Sequence, residues 1–177
     1  MKQFTLFGAA LLAVITGIIW AANRPAGTPQ KTVTQMLKAV QKGDFESVEV
    51  YTLQGLGINY AGKNTRKLLT ALGTTLQYQI SDTVIDGDCA QVEVTITVVD
   101  ISGMLGDLSF SLLRDSLSGT ASAEKPFYQA LIEQINQQSQ NTITNTILIQ
   151  LVQNEEWVVD IQQSSGLISA MTGGLYW

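Results

Sequence analysis

The chain has no histidine among its 177 residues and a single cysteine, Cys89. Without histidine, the commonest general base and the commonest zinc ligand are missing. Ser–His and Cys–His nucleophile pairs are excluded for the same reason. One cysteine cannot close a disulfide within the chain. Positive charge is also scarce: 10 Lys and Arg stand against 15 Asp and Glu, a net charge of −5. Nucleic acid is therefore not an expected partner, because phosphate neutralisation needs clustered Lys and Arg. The densest basic stretch, Lys63-Asn64-Thr65-Arg66-Lys67, is short and reads as the solvated start of a helix. No cofactor and no metal is expected.

What is present is largely apolar. Hydrophobic residues make up 45% of the chain and charged ones only 14%, a globular rather than a disordered composition. From Phe4 to Ala22 no residue is charged, and Lys2 precedes the run. As a helix these residues span about 28 Å, close to the roughly 30 Å of a bilayer's hydrocarbon core. A positive start before an oily run is the pattern of an export signal. Cleavage needs small residues at −3 and −1, yet cuts after Ala21, Ala22 or Ala26 place Ile19, Trp20 or Arg24 at −3. Residues 1–22 thus read as an uncleaved signal anchor that crosses the membrane through residues 4–22, with the rest outside the cytoplasm. A cleaved signal peptide and a secreted product form the alternative. Residues 23–31, with Pro25, Gly27 and Pro29, read as a linker, and 32–177 as one domain.

Within that domain, Val33, Met36, Leu37 and Val40 recur at helical spacing, and Gly43 ends the helix. Asp44 can cap a second helix that turns Phe45 and Val48 inward. Residues 53–64 carry three glycines and read as a loop. Asn64 is a candidate cap for a helix over 65–72 holding Leu68, Leu69 and Leu72, with Gly73 as its stop. The period then changes to two. Leu76, Tyr78 and Ile80 alternate with polar residues, as do Ala90, Val92, Val94, Ile96 and Val98, and Asp86-Gly87 signals the hairpin between them. Helical spacing returns over 102–119, with Ser102 as cap, and over about 125–139. The second of these helices presents Phe127, Tyr128, Leu131, Ile132 and Ile135, opposite a glutamine-rich face at Gln134, Gln137, Gln138 and Gln140. A second hairpin follows, with Ile143, Ile147, Ile149 and Leu151 on one strand and Trp157, Val159 and Ile161 on the other. A short apolar segment, Leu167 to Met171, comes last. The expected class is α+β: N-terminal helices packed on an antiparallel sheet of about four strands, with a helical pair between two hairpins. The expected core is Val33, Met36, Leu37, Val40, Phe45, Leu69, Tyr78, Ile80, Val92, Val94, Ile96, Ile147, Ile149, Trp157 and Val159.

"TVTQMLKAVQKGDFESVEVY" (32–51) resembles the opening of nuclear transport factor two-like, or cystatin-like, domains, in which a helix, Lys-Gly-Asp and a second helix follow in turn. "DGDCAQVEVTITVVDISGM" (86–104) and "NTITNTILIQLVQNEEWVVD" (141–160) are similar to the hairpin and closing strands of such domains on exported proteins of Gram-positive bacteria. The resemblance spans about residues 32–172. It implies a curved antiparallel sheet around the first helix, with a cavity at the open end, and it implies no particular activity. Many of those exported relatives carry a lipid-modified cysteine where the mature chain starts. This sequence has none there, so lipid tethering does not carry over.

Four residues are candidates for the lining of a ligand cavity: Tyr78, Asp82, Tyr128 and Trp157. Asp82 continues the phase of Tyr78 and Ile80, where a desolvated carboxylate could act as acid or base; as a strand end it would simply be solvated. Asp86 and Asp88 read as turn formers rather than calcium ligands. Cys89 reads as a small buried residue. No residue is assigned a catalytic role. The expected function is a non-catalytic binding domain of the cell envelope, taking a protein or small ligand. The alternatives are a small-molecule enzyme using Asp82 and Tyr78, and a structural or assembly subunit.

Overall fold

The computed structural model describes residues 27–58, 61–118, 127–137 and 141–174. The hydrophobic stretch 4–22 and the terminal Leu175-Tyr176-Trp177 lie outside the described residues. Among the described residues no helix is long and apolar enough to cross a membrane. The elements are α1 (Pro29–Lys42), α2 (Phe45–Val50), α3 (Lys63–Thr75), β1 (Gln77–Asp86), β2 (Cys89–Val99), α4 (Ile101–Ser118), α5 (Phe127–Gln137), β3 (Thr142–Gln153), β4 (Trp157–Val159) and α6 (Leu167–Met171). The class is α+β, with one antiparallel sheet in the order β1-β2-β3-β4.

Helix α1 begins three residues earlier than its apolar spacing suggests. The Thr28 hydroxyl accepts a hydrogen bond from the Lys31 N–H, and Pro29 supplies the preset φ of a first helical position. Thr28-Pro29 is therefore a helix start inside the expected linker. Gly43 closes α1 at φ 67, and Asp44 caps α2 through the Ser47 N–H. Val33, Met36, Leu37 and Val40 are all buried in the main core, against Val92, Val94 and Ile96 of β2, Ile149 and Leu151 of β3, and Trp157 and Val159 of β4. Leu69, Tyr78, Ile80 and Ile147 are half-buried at its margin. The Thr32 hydroxyl donates to the Trp157 carbonyl at 3.2 Å, tying α1 to β4 inside this core.

Gly73 does not stop α3, which runs on to Thr75. A Cβ on Gly73 would fall on the Val40 carbonyl oxygen, so the missing side chain is what lets α1 and α3 cross. Asn64 does not cap α3 either; Gly62 holds the cap position without a side-chain bond. The other side of α3 builds a second core. There Leu68 and Leu72 meet Val99, Ile101 and Met104, and Leu131 and Ile135 of α5. The helical pair thus leaves the sheet after β2, docks on α3 and returns to β3. Its two ends are joined where the Asp100 N–H donates to the Asn141 carbonyl at 2.8 Å. Asp100, not Ser102, caps α4: its carboxylate accepts from the Gly103 N–H, while the Ser102 hydroxyl reaches Gly173.

Strand β1 runs past Asp82, the possible strand end, and reaches Asp86. Its register shifts between Ile80, opposite Val94, and Asp82, opposite Glu93, leaving Ser81 as the extra residue of a bulge. The hairpin turns at Gly87, whose φ is 58, while Asp88 keeps negative φ. This sign pattern is that of a type II′ turn, which takes glycine first. Outward-facing threonines pair across the strands: Thr95 with Thr146 at 2.9 Å and Thr97 with Thr144 at 2.8 Å.

The Gly73→Ala chain should be destabilised by about 1–3 kcal/mol, because overpacking against backbone outweighs the roughly 1 kcal/mol gained in helix propensity. Gly106→Ala in α4 meets nothing within 4 Å and should stabilise slightly. Urea midpoints of the two variants test the contrast. Asp44 gives a pH test. Hydrogen bonds from the Ser47 hydroxyl and then from the Ser47 N–H, with a smaller pull from Lys42, hold its carboxyl below the ordinary 3.8. The cap's contribution is therefore complete above pH 3.8 and is lost as pH falls through the lowered folded value. Asp44→Ala should lower the unfolding temperature at neutral pH, and its difference from wild type should shrink under strong acid.

Candidate functional site

The four expected cavity residues do not come together. The bulge at Ser81 moves everything after it by one place, and in a strand one place exchanges the faces. Tyr78 lies on the inner face opposite Ile96, while Asp82 is exposed on the outer face opposite Glu93. The Asp82 carboxylate accepts from the Thr83 N–H at 2.7 Å. With an acid as its cross-strand neighbour, it has no base or cation there to work with. Trp157 is buried in the main core on β4, the opposite end of the sheet from β1. Tyr128 is 40% exposed on α5, edge-on to Phe127 with ring centroids 6.0 Å apart. Cys89 is exposed rather than buried, because it shares the outward phase of Gln91 and Glu93, opposite to the buried Ala90, Val92 and Val94. Among the described residues no group of three His, Cys, Asp or Glu side chains could hold a metal ion.

Concavity is found elsewhere, on either side of α3. A partly enclosed cavity of about 330 Å³ opens between α3, α6 and the chain just before α3. Leu56, Gly57, Ile58 and Ala61 come from that chain segment, and Thr65 and Leu69 from α3. Ile168 and Met171 come from α6, and Thr172 is the residue that caps its end. The segment before α3 is held at its root by a parallel bridge between Thr52 and Val159 and by the Leu53 N–H donating to the Val159 carbonyl at 2.9 Å. It turns through Gly55 and Gly57, both at positive φ, and at Gly55 the Glu49 carboxylate occupies the space a Cβ would need. These turns lay Leu56 and Ile58 against the main core. The cavity wall is mostly hydrocarbon. One of its hydroxyls, that of Thr172, donates to the Ile168 carbonyl at 2.8 Å.

On the far side of α3 lies a broad, open groove of about 820 Å³, bounded across from α3 by Ile132 and Asn136 of α5. Lys63, Arg66 and Lys67 line it, with Thr70, Ala71 and Thr74 further along α3 and Ala61 at one end. No acid is among these residues. Ala61 belongs to the lining of both the groove and the cavity, so the two meet at the start of α3.

No single motif marks either concavity. The cavity draws on a glycine-rich loop, one helix face and the last apolar segment, which are far apart in sequence. The basic run Lys63–Lys67 was visible, but its facing wall on α5 was not. No family model, curated protein or solved structure matches the chain.

Exposure of Cys89 predicts that the native chain reacts with a chromogenic disulfide reagent as readily as the urea-unfolded chain. A thiol titrating only after unfolding would contradict its position at the outer end of β2.

Proposed function

We propose that the chain is a non-catalytic binding domain of the cell envelope, tethered through residues 4–22 with its folded body outside the cytoplasm. Its ligand enters the apolar cavity between α3 and α6. The observation that carries this reading is the cavity itself: about 330 Å³ of space, walled mainly by Leu56, Ile58, Leu69, Ile168 and Met171. That volume lies at the lower end of small-molecule sites, about 300–1,000 Å³, whose walls are likewise mostly apolar. The chemistry of the chain points the same way. It has no histidine, and Asp82 and Tyr78 stand on opposite faces of the sheet. A helix laid on one face of an antiparallel sheet is also compatible with the nuclear transport factor two-like reading of residues 32–51 and 141–160. That fold serves binders as well as enzymes.

The test uses the full-length chain in lipid nanodiscs and a photoreactive straight-chain alcohol. Crosslinks mapped by mass spectrometry should fall on Leu56–Ile58 and on Ile168–Met171. Ile168→Trp, which fills the cavity, should reduce them about tenfold; unchanged labelling would remove the cavity as the site. The tether is tested separately, by the protein's mass in membrane and medium fractions. An intact chain in the membrane is expected, and a product in the medium starting near Ala22 would overturn it.

A further inference from the structure

The cationic groove has no part in binding a neutral apolar ligand, yet it shares a wall residue, Ala61, with the cavity. Three of the chain's 10 basic residues line it, with no acid among the lining, in a protein of net charge −5. Lys63 and Lys67 are exposed and four apart on α3, so their Cβ atoms lie about 5–6 Å apart on one helix face. Glu133, the acid next to Ile132 on α5, is exposed outside the lining. Ala61 borders both concavities. A hydrocarbon-walled space and a positively charged one thus border each other at the start of a single helix.

We propose that cavity and groove are two halves of one site, for a single-chain amphiphile with an anionic head. The aliphatic chain lies in the cavity, where about 330 Å³ admits one chain of modest length and excludes the two chains of a diacyl lipid. The head, a carboxylate or a phosphate, lies in the groove beside the Lys63 and Lys67 ammonium groups. Charge complementarity selects it: a cationic head would meet the exposed ammonium groups of Lys63 and Lys67. The groove is open, so these contacts are screened by salt and each adds modestly, while the apolar cavity supplies most of the affinity. This assignment rests on the cavity reading above and deepens it.

The experiment compares three photoreactive probes of equal chain length on the full-length chain in nanodiscs: a fatty carboxylate, an alkyl phosphate and the neutral alcohol. At equal free concentration and low salt, the carboxylate or the phosphate should label the cavity peptides about fivefold more than the alcohol. The better of the two anions identifies the head. Lys63→Gln/Lys67→Gln should abolish that preference and leave alcohol labelling unchanged, as should about 0.5 M salt on the wild type. Lys38→Gln, an exposed lysine of α1, should leave the preference intact. Equal labelling by all three probes, or loss of the preference in Lys38→Gln, overturns the bipartite site while the apolar cavity stands. Absence of cavity labelling by every probe overturns the cavity reading, and this proposal with it.

Discussion

Because Gly73 carries no Cβ, the Val40 carbonyl can lie directly against α3, and the two longest N-terminal helices cross at backbone contact. Everything on the functional side of the molecule follows from that crossing. Helix α1 is fixed to the sheet by four fully or nearly buried apolar side chains and by the Thr32 bond to β4. Helix α3 is fixed to α1 at Gly73, and again near Gly43, where Thr70 fills the space a side chain would need. A helix pinned in this way can be shared between two cores. Leu69 packs toward the sheet core, and Leu68 and Leu72 toward the helical pair. The faces of α3 left between these packed stripes border the cavity on one side and the groove on the other.

The helical pair therefore has a structural role beyond its own packing. A four-stranded meander with one helix on it needs no excursion between β2 and β3. Here the excursion leaves at Asp100, returns at Asn141, and in between covers the side of α3 away from the sheet. Ile132 and Asn136 turn what would be a bare helix face into a groove with two walls. The carboxyl-terminal segment does the corresponding service on the other side. The Ile101 N–H donates to the Gly173 carbonyl, which anchors the end of α6 next to the junction of β2 and α4. That anchoring holds Ile168 and Met171 opposite Leu69.

How far the sequence discloses this arrangement depends on the range of each signal. Helix and strand periods are local, so α1, the alternation of β2 and β3 and both hairpin turns are legible, and with them the sheet core. Phase within β1 is legible only up to Ser81. One extra residue there reverses the faces, and nothing in "QISDT" announces it. Gly73 is misleading for a related reason: a glycine near a helix end reads as a stop, but here it answers to a neighbour more than thirty residues away. The second core was hidden because its members, from Leu68 to Ile135, each fit an ordinary amphipathic helix. Their convergence is a tertiary fact. The cavity and groove are tertiary in the same sense, and only the basic run at Lys63 gave a local hint of either.

A concave surface receives an aliphatic chain readily only where burial strands no hydrogen-bonding group. An unpaired hydroxyl trapped under hydrocarbon costs about 1–3 kcal/mol, as much as several buried methylenes contribute. Thr172 in the cavity, and Thr70 and Thr74 in the groove, avoid this penalty. Thr70 donates to the Arg66 carbonyl, Thr74 to Ala71 and Thr172 to Ile168, each one turn back along its own helix. Of the cavity's own lining, the Thr172 hydroxyl is engaged in this way, so an aliphatic chain laid against it does not orphan that donor. Charged groups obey the opposite rule, since they keep their water unless given a counter-charge. Lys63 and Lys67 stay exposed in the groove rather than in the cavity. The same physics that keeps ammonium groups at the rim and methyl groups on the floor sorts an amphiphile along this surface by its two ends.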